Sequence, residues 1–345
     1  MAASLARQAG TRDRITVFSS SWKDRLAPDA VPGAETLDAR VPVSILNYTW
    51  HRFGWPSVEL LGAETDVVWS MHPLLMPATD AARVVTIHDL HFLDHPGATV
   101  REVRRDYAAL AADHARRADG VIVVSDYTRD QVVHRLHVPP DRITVCRNGA
   151  PPWGRRVEPT VVGPILHVGT VEPRKNVPAL IKAYLELLRQ YPAAPDLVLA
   201  GRVEKAHEPV TRETSDLMST RVRFLGYVSD EERLRLYREA SMLVIASSDE
   251  GFGLPALEAM TLGVPVVAAD RGSLREVIGD AGLLGDAEDS AGFAASMRQV
   301  LEDASLRRRL AESGIVRSRL FNWDESAATA RAALAAAIGR RKDRA

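Results

Sequence analysis

The stretch Asp249-Glu250-Gly251-Phe252-Gly253-Leu254-Pro255-Ala256-Leu257-Glu258 holds two carboxylates separated by seven residues, with a glycine directly after the first. Glycine keeps no side chain between backbone and ligand, and proline suits the first residue of a helix, so the pattern predicts a loop feeding a helix at Pro255. Free N–H groups at such a helix start attract anions and hydroxyls. With Glu250 before the helix and Glu258 in its first turn, the two would accept hydrogen bonds from different parts of one extended ligand. The competing account is two glutamates that serve only the helix dipole. A second segment, Gly169-Thr170-Val171-Glu172-Pro173-Arg174-Lys175-Asn176, pairs the planar fork of Arg174 with the point charge of Lys175. That combination suits the two phosphates of a nucleoside diphosphate and would stabilise negative charge on it as it leaves; a solvated surface pair is the plainer alternative. A third, Thr86-Ile87-His88-Asp89-Leu90, puts a histidine after a β-rich run, with Asp89 to orient it or to cap the next turn. The spacing of His72, His91 and His95 with Asp89 and Asp94 is not that of a metal site.

Each segment needs a strand to deliver it. β-rich apolar runs occur at Ile15 to Ser19, Val67 to Ser70, Arg83 to Ile87, Gly120 to Val124 and Ile143 to Cys146, with helical stretches at Val100 to Arg117 and Thr128 to His137 between them. The pattern restarts with strand Ile165 to Val168, helix Val177 to Arg189, strands Leu197 to Ala200 and Val222 to Leu225, helix Asp230 to Ala240 and strand Met242 to Ala246. Helix Pro255 to Leu262, strand Pro265 to Ala268 and an Ala-rich helix from Ser326 to Ile338 follow. Such alternation predicts two doubly wound α/β domains, Rossmann-like and facing across a cleft. The Gly- and Pro-rich segment 148–164 marks the boundary, giving domains 1–160 and 161–345 with the last helix in the second.

Composition narrows the function classes. The 345 residues carry 44 Lys plus Arg against 45 Asp plus Glu, a formal net charge of -1, which argues against nucleic acid as a partner. The single cysteine, Cys146, excludes a disulfide scaffold, and no run approaches the ~18 apolar residues of a membrane span, so a cytoplasmic protein is expected. Arg101, Arg104, Arg105, Arg116 and Arg117 form a basic patch on the helix predicted over 100–117. Glu102, Asp106, Asp113 and Asp119 nearly cancel it, and membrane contact is expected to be peripheral at most.

The glutamate pair with its intervening Gly-Phe-Gly-Leu-Pro, the Arg-Lys segment and His-Asp-Leu together resemble glycosyltransferase family 4, retaining enzymes of the GT-B fold that use nucleotide-sugars. The resemblance covers nearly the whole chain and is strongest over 163–285. It implies that Glu250 contacts the donor hexose near the reacting carbon, Glu258 holds the ribose hydroxyls, and Arg174 and Lys175 hold the diphosphate in place of a metal. His88 would line the acceptor side, making His88, Arg174, Lys175 and Glu250 the catalytic set. Donor contacts are expected from Gly169, Thr170, Tyr227, Val228, Gly251, Phe252, Gly253 and Leu254 as well, with Tyr227 and Val228 meeting the base largely through backbone. Ser125-Asp126-Tyr127-Thr128 reads as a helix cap first. No Asp-x-Asp triplet occurs. The resemblance points to a mannosyltransferase of polysaccharide assembly that needs no cofactor, with GDP-mannose as donor and a saccharide or lipid-linked acceptor.

Two departures stand against it: Met1 to Gln8 reads as helix where relatives open with a strand and a Gly-rich loop, and Arg275 replaces a common proline in what is expected to be a loop. The first leaves open a nucleotide-sugar-binding protein with little catalysis. A nicotinamide-dependent dehydrogenase lacks its Gly-x-Gly-x-x-Gly here.

Overall fold

The computed structural model describes residues 1–10, 13–21, 25–27, 29–94, 107–156, 160, 162–203 and 220–344. They form two compact units, 1–149 with 322–345, and 150–321.

In the first unit β1 (Thr16–Ser19) and β2 (Glu35–Asp38) make a parallel pair, and β3 (Val67–Ser70), β4 (Ala82–Ile87), β5 (Gly120–Val123) and β6 (Ile143–Val145) a four-stranded parallel sheet in that order. All four residues of β5 are buried because helices cover both faces, as parallel sheets require. Helix Asp126–Leu136 begins at Ser125, whose hydroxyl accepts from the Thr128 N–H at 3.0 Å, so that segment is a helix cap as expected. Of the helix expected over 100–117, the structure describes Tyr107–Arg117; Arg101, Arg104 and Arg105, like His95, lie outside the described residues.

The second unit is one six-stranded parallel sheet, β12-β11-β10-β7-β8-β9, built from β7 (Ile165–Val168), β8 (Leu197–Ala200), β9 (Val222–Gly226), β10 (Met242–Ile245), β11 (Val266–Ala269) and β12 (Leu283–Gly285). Helix Val177–Gln190 buries Val177, Leu180, Tyr184 and Leu187, the spacing of one helical face, against Leu197, Leu199 and Phe293. In this order the first strand of the unit, β7, lies beside the fourth, β10. The chain winds in opposite directions on either side of that pair, which sets the turns after β7 and β10 next to each other at the strand-order reversal.

The last helix, Trp323–Lys342, corrects the expected partition: it completes the first unit. Ala327, Ala330, Ala333 and Ala337 form a buried stripe against Ala82, Val84, Ile122 and Cys146. Steps of three and four residues put these methyls on one face, and side chains that small let the helix backbone come close to the sheet. The boundary itself lies where the glycines and prolines placed it. The chain passes between units after Gly149 and again after Phe321. Helices Val43–Phe53, Ser290–Glu302 and Ala304–Ser318 and strands β2 and β12 were not among the expected elements.

Replacing Ala330 by Leu forces extra methylenes into the stripe, and the expected cost is about 1–3 kcal/mol. Hydrogen exchange read by mass spectrometry should then speed up in β4 and β5 and stay unchanged in β7 and β8; the reverse pattern would assign the helix to the second unit.

Candidate active site

The two turns at the strand-order reversal carry Arg174 and Lys175 on one side and Glu250 on the other. Pro173–Lys175 form a single 3-10 turn whose Arg174 carbonyl accepts from the Ser248 N–H at 2.8 Å and from its hydroxyl at 3.3 Å, which ties the two turns together. The Lys175 ammonium then reaches a Glu250 oxygen at 2.5 Å and Arg174 the other at 3.2 Å. Ser247 donates its hydroxyl to the same carboxylate at 2.8 Å, and Arg174 also meets Glu172 at 2.7 Å. Lys175 and Glu250 are only 6% and 5% exposed. Burial pushes the Glu250 carboxyl up, but the Lys175 and Arg174 charges outweigh burial and hold it below its ordinary value.

The Glu250 backbone is pinned as firmly. Its carbonyl accepts from the N–H and the hydroxyl of Ser273, both at 2.9 Å. A Cβ on Gly272, whose φ is 58°, would stand 2.5 Å from that oxygen. Gly253 caps helix Leu254–Leu262 at φ 93°, a conformation that other residues adopt at a cost. Beneath the pair, fully buried His167 on β7 turns Nδ1 to the Val244 carbonyl at 3.0 Å, and burial lowers its pKa to about 4, so it is neutral.

Glu258 is the fifth residue of that helix, one residue deeper than expected and just past its first turn, and has partners of its own. Tyr237 donates its hydroxyl to Glu258 at 2.9 Å, and Arg233 lies 3.4 Å from the other oxygen. Burial raises the Glu258 pKa against the pull of Arg233. Arg233 also sits 5.8 Å over the Trp153 ring, and Trp153 lies 6.0 Å from Tyr237. Arg233 and Tyr237 lie four apart on helix Asp230–Glu239, so they share a face; their sequence spacing alone distinguishes them from no other helical pair.

Three expected contacts take a different form. The Phe252 ring is buried 5.7 Å from Phe321 in an edge-on pair, so it anchors the loop and offers a ligand at most backbone. The helix start offers fewer N–H groups than expected: Pro255 has none, and those of Ala256 and Leu257 turn back to the Gly253 carbonyl. Arg275 lies in a short helix, Leu274–Ile278, where it pairs with Asp270. Gly169 and Thr170 run from β7 into the 3-10 turn, while Tyr227 follows β9 with 71% of its surface exposed and the Arg202 guanidinium 5.2 Å over its ring. Val228 is half-buried beside it. In the first unit His88 ends β4, exposed, with Nε2 3.1 Å from the Met71 carbonyl; Asp89 caps the next turn by accepting from the His91 N–H at 3.1 Å. Among the described residues no group of three or more His, Cys, Asp or Glu is placed to hold a metal ion.

Residues 162–317 match the family described as Glycosyl transferases group 1, and residues 1–153 match Glycosyltransferase Family 4. The chain is 33% identical over 265 residues to the O-antigen chain mannosyltransferase B of Escherichia coli, spanning 70% of this chain and 67% of that one. It is 32% identical over 283 residues to a glycogen synthase of Mycobacterium tuberculosis, spanning 79% and 68%. A solved structure of Anabaena HepE in complex with UDP and glucose superimposes with a TM-score of 0.71 over 96% of this chain and 94% of that one, at 19% identity. The shared architecture is the GT-B fold.

A carboxylate whose folded pKa lies below the ordinary 4.5 contributes stability above that pH and loses it as pH falls through the folded value. Glu250→Gln leaves Lys175 buried without its counter-charge and should cost about 3–5 kcal/mol at pH 7. The gap in urea midpoint between wild type and variant should narrow as pH drops below about 4. A gap that stays constant down to pH 3 would show that the charge of Glu250 contributes nothing to the fold.

Proposed function

The chain belongs to the group 1 and family 4 glycosyltransferases and is a hexosyltransferase, and from that premise we propose that it moves mannose from GDP-mannose to a hydroxyl of a saccharide or lipid-linked acceptor, with retention at the anomeric carbon. The observation that carries the site assignment is the contact of Lys175 and Arg174 with Glu250 at the strand-order reversal of the second unit. With Glu172 included, two cations face two carboxylates, so the resting cluster is neutral. A nucleotide-sugar divides it. Hexose hydroxyls donate to Glu250, the diphosphate takes donors from Arg174 and Lys175, and each half of the cluster finds a partner in one half of the donor.

As the acceptor oxygen bonds to the anomeric carbon and the bond to the diphosphate breaks, charge grows on the departing phosphate. The two cations stabilise it there without a metal ion. The acceptor proton ends on the leaving phosphate. Glu258, fixed by Tyr237 and Arg233, accepts the ribose hydroxyls, and exposed Tyr227 with the adjoining backbone meets the base. His88 serves the acceptor side. The mannosyl assignment is supported by likeness to the Escherichia coli mannosyltransferase; the HepE structure holds UDP and glucose, so the base is what must be measured.

Thermal shift against GDP, UDP and ADP should give the largest stabilisation with GDP, and stabilisation by UDP alone would overturn the donor. Turnover should survive EDTA, and the anomeric coupling of the product by NMR should match that of the donor. In kinetics, Arg174→Ala is expected to lower kcat on the order of 10²-fold, while Glu258→Ala weakens nucleoside diphosphate binding more than it slows the chemical step. Near-normal turnover in the first would remove the diphosphate role, and unchanged nucleotide affinity in the second the ribose role.

A further inference from the structure

We propose that the second unit carries an anion site separate from the donor site: a cavity of about 280 Å³ at the far end of helix Leu254–Leu262, suited to a small soluble ligand bearing a phosphate group. Its charged lining is Arg155, Arg156, Arg307 and Arg308 against a single acid, Glu312. Four guanidinium groups round one concave space offer an anion planar, forked donors from more than one side.

Arg156 makes the case strongest. Its backbone N–H donates to the Leu262 carbonyl at 3.1 Å and its Nη1 to the Ala240 carbonyl at 2.5 Å, so it is held at the C-terminal ends of two helices. Those two bonds account for the capping role; Nε and Nη2 are buried away from water, so Arg156 offers a ligand in the cavity its charge and not a direct hydrogen bond from those atoms. Burial alone shifts its pKa, down to about 10; no carboxylate among the described residues offsets it. Arg307 uses Nη1 on the Val300 and Leu301 carbonyls at 2.9 and 2.7 Å, which fixes its fork beside the cavity. Arg155 and Arg308 are exposed and complete the ring.

Size sets the ligand class. At about 280 Å³ the cavity lies just under the ~300–1,000 Å³ of pockets that enclose drug-sized ligands, which suits inorganic phosphate or a short phosphate monoester better than a second nucleotide-sugar. The nine-residue helix puts this cavity ~13 Å along its axis from Gly253 and the Glu250 loop, with Glu258 ~6 Å from Leu262 between them.

The test is calorimetric titration of the full chain with inorganic phosphate and with glycerol phosphate, in the presence of saturating GDP and UDP so that the donor site is filled whichever base it prefers. Chloride at matched ionic strength is the control. One phosphate per chain should bind beyond the chloride effect, and Arg155→Gln combined with Arg308→Gln should weaken it tenfold or more while nucleotide titrations stay unchanged. Both residues are exposed, so the variant keeps its fold; circular dichroism checks this. No phosphate-specific heat, or equal binding by the variant, overturns the proposal. Sedimentation with phosphatidic acid vesicles in the absence of soluble phosphate binding would place the phosphate on a lipid and overturn the soluble ligand.

Discussion

Taking a carboxylate and an ammonium out of water together is tolerable only when each neutralises the other at close range, and the contact of Glu250 with Lys175 meets that demand inside the second unit. Much of the surrounding detail follows. Ser247 and Arg174 supply the remaining donors to the carboxylate, Ser273 holds the carbonyl of the same residue, and Gly272 is small because anything larger would strike it. The strand order supplies the place. Where β7 and β10 lie side by side, two turns from distant parts of the sequence meet without either crossing the sheet.

Such a pair is also a store of binding capacity. Fully satisfied in the resting chain, it is fully compensated on opening only by a ligand that brings both hydroxyl donors and an anion. A bare phosphate would leave Glu250 unsatisfied, and a bare sugar would leave the cations so.

The sequence declared the parts of this arrangement that repeat a local rule. Strands β3, β7 and β8 fall on the residues expected because a buried parallel strand is a short apolar run with polar ends. The Glu250 and Arg174 turns were legible because glycine, proline and paired charges cluster there. Strand β2, Glu35–Asp38, is a polar strand paired with β1, and Leu37 alone among its four residues is apolar. Helix Ala304–Ser318 was hidden by its arginines, which outnumber the leucines that bury it. Arg233 and Tyr237 were beyond reach of local pattern, since only the fold brings their helix beside Glu258. The last helix was assigned to the wrong unit because its alanine stripe declares a face and not a partner.

That stripe has a consequence for how the chain is made. The strands of the first unit are synthesised before the whole of the second, yet the helix that covers Ala82, Val84 and Ile122 emerges only after it. Residues 150–321 have all they need for a closed core at a time when the earlier sheet still shows one bare apolar face. The order of synthesis therefore lets the inner segment close its core before the first sheet is covered, and exposed apolar surface of that kind is what makes incomplete chains prone to aggregate.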